Sequence, residues 1–206
     1  MRCGSSTVLD ADVPNLRQIR AVYTPSTITV YQAFSHEIAN RAIEAQTFVA
    51  PFRFGRMTWI KPSFLWMMYR SGWAGKTNQQ RILAIDISRT GFQWCLDNGC
   101  LTRFDTSIHP SRERWLESMA KSTVRVQWDP ERSLQLQPLA YRAIQIGLGI
   151  GAVQKYVNEW IKEIRDVTTL AHEIVKMLEI KCDIAAERML PKEAVLYASA
   201  PHLGLT

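Results

Sequence analysis

No stretch of the 206-residue chain approaches the roughly 20 apolar residues of a membrane span; Phe64 to Tyr69 is typical of its longest apolar runs. The N-terminal MRCGSSTVLDADVPN lacks the apolar core of a secretory leader, so the expectation is a cytoplasmic chain without membrane contact. Cysteines are few. Cys3, Cys95, Cys100 and Cys182 form no CxxC pair, and no histidine pattern completes a tetrahedral site. No metal is therefore expected, and the thiols read as buried and free. His36, His109, His172 and His202 share no ligand or triad spacing, and no serine sits in a GxSxG elbow. A serine or cysteine hydrolase has no support. There is no internal repeat and no linker. Nor is there a run of four basic residues, although Lys+Arg 25 exceed Asp+Glu 19 and give a net charge of +6. That balance favours acidic partners without marking a nucleic-acid track.

What is present suffices for a core: 47% of residues are hydrophobic and 10% aromatic. The length fits one domain. Residues 1–16 are polar and weakly patterned and read as a flexible arm, leaving 17–206 as a single α+β domain. Its expected architecture is a mixed or antiparallel sheet with flanking helices. TITVYQAF from Thr27 alternates as a strand, Ser35 stands where an N-cap belongs, and Ile38, Ala42 and Ile43 stripe a helix ending near Thr47. Phe48 to Gly55 reads as a loop and Met57 to Ile60 as a short strand. Pro62 fits the first turn of a helix over Phe64 to Arg70, which Gly72 closes and which should be buried all round. ILAIDIS from Ile82 is a central strand, and Ser88 caps a helix striped by Phe92, Cys95 and Leu96. A short helix over Ser111 to Ala120 precedes TVRVQW, a strand that turns Val124, Val126 and Trp128 inward and is ended by Asp129-Pro130. Tyr141 to Leu148 is the next strand. Val153, Val157, Ile161 and Ile164 recur at helical spacing from Gly151, Leu170, Ile174 and Leu178 continue after a break at Thr168-Thr169, and AVLYA is a last strand.

Three segments invite chemistry. GLGIGA at Gly147 to Ala152 matches GxGxxA, with Asp166 nineteen residues on. It comes late in the chain, and Asp166 falls on a helical pattern, so a glycine-rich strand-to-helix joint is the commoner explanation. The second segment runs from Arg56 through Trp59, Lys61 and Ser63 to Tyr69 and Arg70. Lys61 and Ser63 at a helix N-terminus offer a cation, a hydroxyl and free N–H groups for a phosphate, and Trp59 could stack on a base. The same residues read equally as core aromatics with Lys61 reaching out to water. The third is Gln127 to Arg132, where Asp129 and Glu131 leave a strand end near Arg142 and Gln145; an Asp-Pro turn explains Asp129 equally well.

The blocks RQIRAVY (Arg17 to Tyr23), VYQAFS, RMTWIKPSFLWMMYRSGWA, RILAIDISRTGF, VQWDPER and YRAIQIGL resemble the domain-of-unknown-function 4291 family. The resemblance spans Arg17 to about Thr168 and brings no activity with it. TITVYQAFS with IANRAIEAQTF is more distantly similar to the first unit of the ADP-ribosyltransferase-like fold. In that fold an aromatic residue followed by histidine or arginine holds NAD, and a later glutamate supports the cationic transition state. The matching pair here, Tyr31-Gln32, departs from the pattern, although an amide can still hydrogen-bond a ribose hydroxyl.

That similarity implies NAD or a related nucleotide as cofactor and cleavage of its nicotinamide glycosidic bond. Glu131 is the expected acid, Asp129 the second choice and Gln145 a non-ionised stand-in. Tyr31, Gln32, Arg56, Trp59, Lys61, Ser63, Tyr69, Arg70 and Arg142 are the expected binding residues. On this view Glu131→Gln abolishes turnover and spares binding. The alternative is a non-enzymatic nucleic-acid-binding module that uses the Arg53/Arg56/Lys61 and Trp59 cluster.

Overall fold

In the computed structural model, which describes residues 17–205, three sheets share the core with seven α-helices. The expected N-terminal arm lies outside the described residues. β1 (Ile19–Ala21) pairs with β9 (Ala194–Leu196). β2 (Thr27–Phe34), β4 (Arg81–Ser88) and β8 (Ile161–Asp166) form an antiparallel sheet with β4 in the middle. β3 (Thr58–Ile60), β7 (Pro138–Leu148), β6 (Val124–Arg132) and β5 (Gly99–Leu101) form the third, antiparallel except for the parallel β5–β6 pair. The α+β class with mixed and antiparallel sheets stands.

The central strand explains why ILAIDIS is apolar at successive positions. Leu83, Ile85 and Ile87 enter one core with Ile28, Val30, Ile60, Val126, Ile146 and Tyr156. Ile82 and Ala84 point the other way, into a second core with Tyr31, Phe64, Met67, Met68 and Ile174. Two-residue periodicity divides the strand between two buried faces, as expected when both sides of a sheet are covered.

Helices α1 (His36–Ala45), α2 (Phe64–Ser71), α3 (Arg89–Asp97), α4 (Arg112–Lys121), α5 (Ile150–Lys155), α6 (Thr168–Glu179) and α7 (Asp183–Met189) connect the strands. Ser88 Oγ accepts from Gly91 N and caps α3 as expected. Ser35 stands at the α1 N-cap position, but its side chain makes no capping bond. α2 ends at Gly72 in the left-handed conformation, φ 60°.

Five expectations are corrected. Pro62 lies outside the first turn of α2, because Ser63 is the N-cap. The helix is also not buried all round: Tyr69 and Arg70 are exposed. Asp129-Pro130 does not end β6, which runs on to Arg132. Its second neighbour, β5, covers only Val124 to Val126, so the missing N–H of Pro130 costs no ladder bond on that open edge. The long helix from Gly151 is three elements: α5, a π-turn at Tyr156–Trp160, and β8. Cys95 and Cys100 are buried, whereas Cys182 is exposed. No helix of the described residues is long and apolar enough to cross a membrane.

Candidate functional site

β2 pairs with β4 along its whole length, and its backbone also bridges to the residue that follows β3. There Tyr31 N donates to Lys61 O and Lys61 N to Tyr31 O, at 2.7 and 3.3 Å. Beside that bridge lies a cleft of about 710 Å³, walled by Gln32 and Phe34 of β2, Phe52 and Arg53 of the following loop, Thr58 and Trp59 of β3, and Arg70 of α2. Gln127 of β6 and Gln145 of β7 reach it from the other sheet, and the two residues are paired in register.

The floor is held by a closed hydrogen-bond network. Tyr156 Oη, from the π-turn, donates to Gln32 Oε1 at 2.8 Å; Gln32 Nε2 donates to Thr58 Oγ1 at 2.6 Å and to Trp59 O at 3.2 Å. The amide is fixed by its neighbours, and π-turns recur at functional sites because they re-aim side chains of this kind. Tyr156→Phe removes the hydroxyl that donates to a buried amide oxygen. A loss of about 1–2 kcal/mol is expected, read as a lower urea midpoint with an unchanged slope.

Lys61 is the unusual group. It is 5% exposed and lines the cleft. Its Nζ donates to Trp59 O at 3.4 Å and lies 5.3 Å from the Trp66 ring centroid. The Trp66 indole N–H is buried without a hydrogen-bond partner among the described residues. Burial, with the Arg70 charge adding to it, lowers the Lys61 ammonium from 10.5 to about 7, and Asp129 opposes the shift. Arg53, Arg56 and Arg70 are exposed and line the same cleft. Among the described residues none of these four cations forms an ion pair.

The carboxylate that bears on Lys61 is Asp129. Gln127 Nε2 donates to its Oδ1 at 2.9 Å and Gln145 Nε2 to its Oδ2 at 2.6 Å, so two cleft-lining amides hold it. The residues read from sequence therefore divide. Gln32, Arg56, Trp59, Lys61, Arg70 and Gln145 line one cleft, with Asp129 tied to it.

The others lie elsewhere. Tyr31 is buried in the second core, edge-on to Phe64 at 5.4 Å. Tyr69 faces out beneath the Arg132 guanidinium, 3.5 Å from ring centroid to Cζ. Arg142 borders a smaller cleft of about 360 Å³ with Arg17, Arg103 and Asp105, which meets the first at Gln127.

Glu131 and Ser63 pair with each other rather than with the cleft. Ser63 Oγ donates to Glu131 Oε1 at 2.8 Å and accepts from Trp66 N, while Arg132 N also donates to Glu131. Glu193 Oε1 accepts from Phe64 N at 2.7 Å. The N-terminus of α2 is thus filled by the chain's own carboxylate and hydroxyl, which closes the expected phosphate seat. Burial raises both carboxyls, Glu193 to about 8.

Gly147 and Gly149 of GLGIGA serve packing, whereas Gly151 is exposed with open space around it. A Cβ on Gly147 would come within 2.9 Å of Trp59 Cζ2 and Met57 Sδ, and one on Gly149 within 2.8 Å of Thr123 O. β7 and β8 lie in different sheets, so the segment opens no parallel βαβ unit.

Sequence reading missed Gln127, Thr58, Phe34 and Tyr156. Gln127 had a signal, since strand alternation sets it on the face of Asp129. A comparison with curated proteins finds no match. The family described as Domain of unknown function (DUF4291) matches residues 18–196. Because that match covers most of the chain, from before β2 to the end of β9, the protein belongs to the DUF4291 family.

Proposed function

We propose that the cleft binds a phosphorylated nucleotide of the NAD class, as an ADP-ribosyltransferase-like protein would. One observation supports this above all: Arg53, Arg56, Lys61 and Arg70 line, without ion-pair partners among the described residues, a concave site that also offers the Trp59 ring. Like charges gathered around a buried amine repel one another, and a bound pyrophosphate removes that repulsion. Trp59 and Phe34 supply faces for a planar ring, and the amides of Gln127 and Gln145 can serve ribose hydroxyls.

In this reading the carboxylate for glycosidic cleavage is Asp129, since Glu131 is engaged with Ser63. As the bond between ribose and nicotinamide stretches, positive charge grows on the sugar. A carboxylate held by two amide donors stabilises that charge without having to reorganise. A bound acceptor then takes the ADP-ribose. Asp129→Asn should lower nicotinamide release by about 100-fold or more and leave NAD affinity within about threefold. Wild-type release from the variant would remove Asp129 from the chemistry.

Lys61 makes binding pH-dependent in a stated direction. It must be protonated to attract the pyrophosphate, and in the empty cleft it loses its proton near pH 7. Affinity for NAD is therefore level below pH 7 and falls above it, by at most about tenfold per pH unit, because one proton is taken up with the ligand. Calorimetry in buffers of different ionisation enthalpy reads the uptake directly. The nucleic-acid reading draws on a separate observation, the second cleft with Arg17, Arg103 and Arg142 that lengthens the basic surface past Gln127. It requires RNA or DNA affinity that drops steeply with salt, and a flat salt response eliminates it.

A further inference from the structure

We propose that the Lys61 amine is a nucleophile, condensing with the carbonyl of a phosphorylated aldehyde or ketone that Arg53, Arg56 and Arg70 hold in the cleft. The inference rests on the reading of the cleft as a phosphate-binding site and adds to it a covalent step and a substrate class. A lysine needed only for its charge is best placed where the arginines are, exposed at the mouth and hydrated. Lys61 is instead sunk in the floor, 5% exposed, with one long bond to a carbonyl and no ion pair among the described residues. Of the four cations it alone can give up its proton near neutral pH, since a guanidinium does not.

Division of labour follows from that contrast. The permanent charges grip the phosphate, and the amine meets the carbonyl. The charged groups that bear on Nζ are Arg70 from α2 and Asp129 from β6, the first favouring the neutral amine and the second opposing it. Gln127 and Gln145 add amide groups for the hydroxyls of an open-chain sugar phosphate.

The step balances without a co-reactant. The Nζ lone pair attacks the carbonyl carbon, the carbonyl π pair moves to oxygen, and a proton from nitrogen reaches that oxygen to give a carbinolamine. The hydroxyl then takes a proton from solvent and leaves as water while the nitrogen lone pair forms the C=N bond. The product is a protonated imine. Hydrolysis returns amine and carbonyl, so the modification is reversible. A floor that excludes bulk water favours the dehydrated side.

The test uses pyridoxal 5′-phosphate and pyridoxal as probes, each followed by borohydride reduction and peptide mass mapping of the whole chain. The other lysines, Lys76, Lys121, Lys155, Lys162, Lys176, Lys181 and Lys192, are all exposed and serve as internal references. Pyridoxal 5′-phosphate should label Lys61 at least about tenfold faster than any of them, pyridoxal should not, and inorganic phosphate should protect. Labelling confined to the exposed lysines overturns the inference. If NAD still binds by calorimetry, the anion cleft survives that result.

Equal labelling of Lys61 by both probes overturns the assigned substrate class and, if NAD does not bind, the phosphate reading with it. Lys61→Arg keeps a charge and removes the nucleophile, so it should lose the label. If that variant fails to fold, the wild-type labelling map decides alone.

Discussion

Lys61→Met yields a protein that melts higher than the wild type and no longer binds a phosphorylated ligand. The two effects have one cause. Folding holds the Lys61 amine at about 7 against 10.5 in the free side chain, so the folded state binds this proton less tightly than the unfolded chain. Unfolding therefore takes up a proton between those values. The cost to stability is complete below about pH 7 and vanishes as the pH approaches 10.5. Methionine has nearly the same length and no charge to bury. The expected gain is on the order of 2–3 kcal/mol at pH 7, or about 5–10 °C in midpoint for a chain of this size. The gain should shrink steadily from pH 7 to pH 10. A functional group whose removal stabilises its protein is the usual mark of a site built for a ligand rather than for the fold. If the methionine variant melts at or below the wild type throughout that range, Lys61 is a satisfied structural residue.

Gly91→Ala acts in the opposite direction and touches no ligand. Gly91 lies in the first turn of α3 and is buried. A Cβ there would lie 2.7 Å from Trp160 Cδ1 and nearer still to Cγ. The Trp160 indole cannot simply swing away, because it packs against Trp94 with centroids 5.4 Å apart and forms part of the main core. A methyl group forced into such a contact costs about 3 kcal/mol, at the upper end for overpacking, although alanine is the better helix former. The measurement is the denaturant midpoint. A midpoint equal to the wild type would mean that α3 moves off the π-turn without penalty.

The same two regions show what could be read in the residues and what could not. β2, β4 and α3 were legible because alternation, β-branched residues and a serine cap agree with one another. β8 was not. Ile161 and Ile164 are three apart, which is helical spacing, yet both meet the core from a strand. The reason is a bulge: Ile87 pairs with Ile161 and Asp86 with Glu163, so Lys162 is an extra residue that resets the alternation. A one-residue insertion in a strand imitates a helix at this length.

The candidate site divides along similar lines. Trp59, Lys61, Arg56 and Arg70 were visible as cations among aromatics in one short stretch, and they do line one cleft. Glu131 was the expected acid among carboxylates leaving a strand end, but the β6–β7 ladder changes register between Pro130 and Arg132, and Glu131 ends among Ser63 and the α2 N-terminus. Nor could spacing show that Glu193, 129 residues from Phe64, would fill the helix end that looked open to phosphate. Long-range partners of this kind leave no local trace. Tyr156, passed over by the helical stripe through Val153 and Val157, is the residue that orients Gln32.

The most direct test of the account is saturation-transfer NMR of the whole protein with NAD, with wild type and Lys61→Met compared side by side at physiological salt. Transfer to the adenine and nicotinamide protons of NAD is expected in the wild type and is lost in the folded methionine variant. Absence of transfer at millimolar NAD, or equal transfer in both proteins, would contradict it.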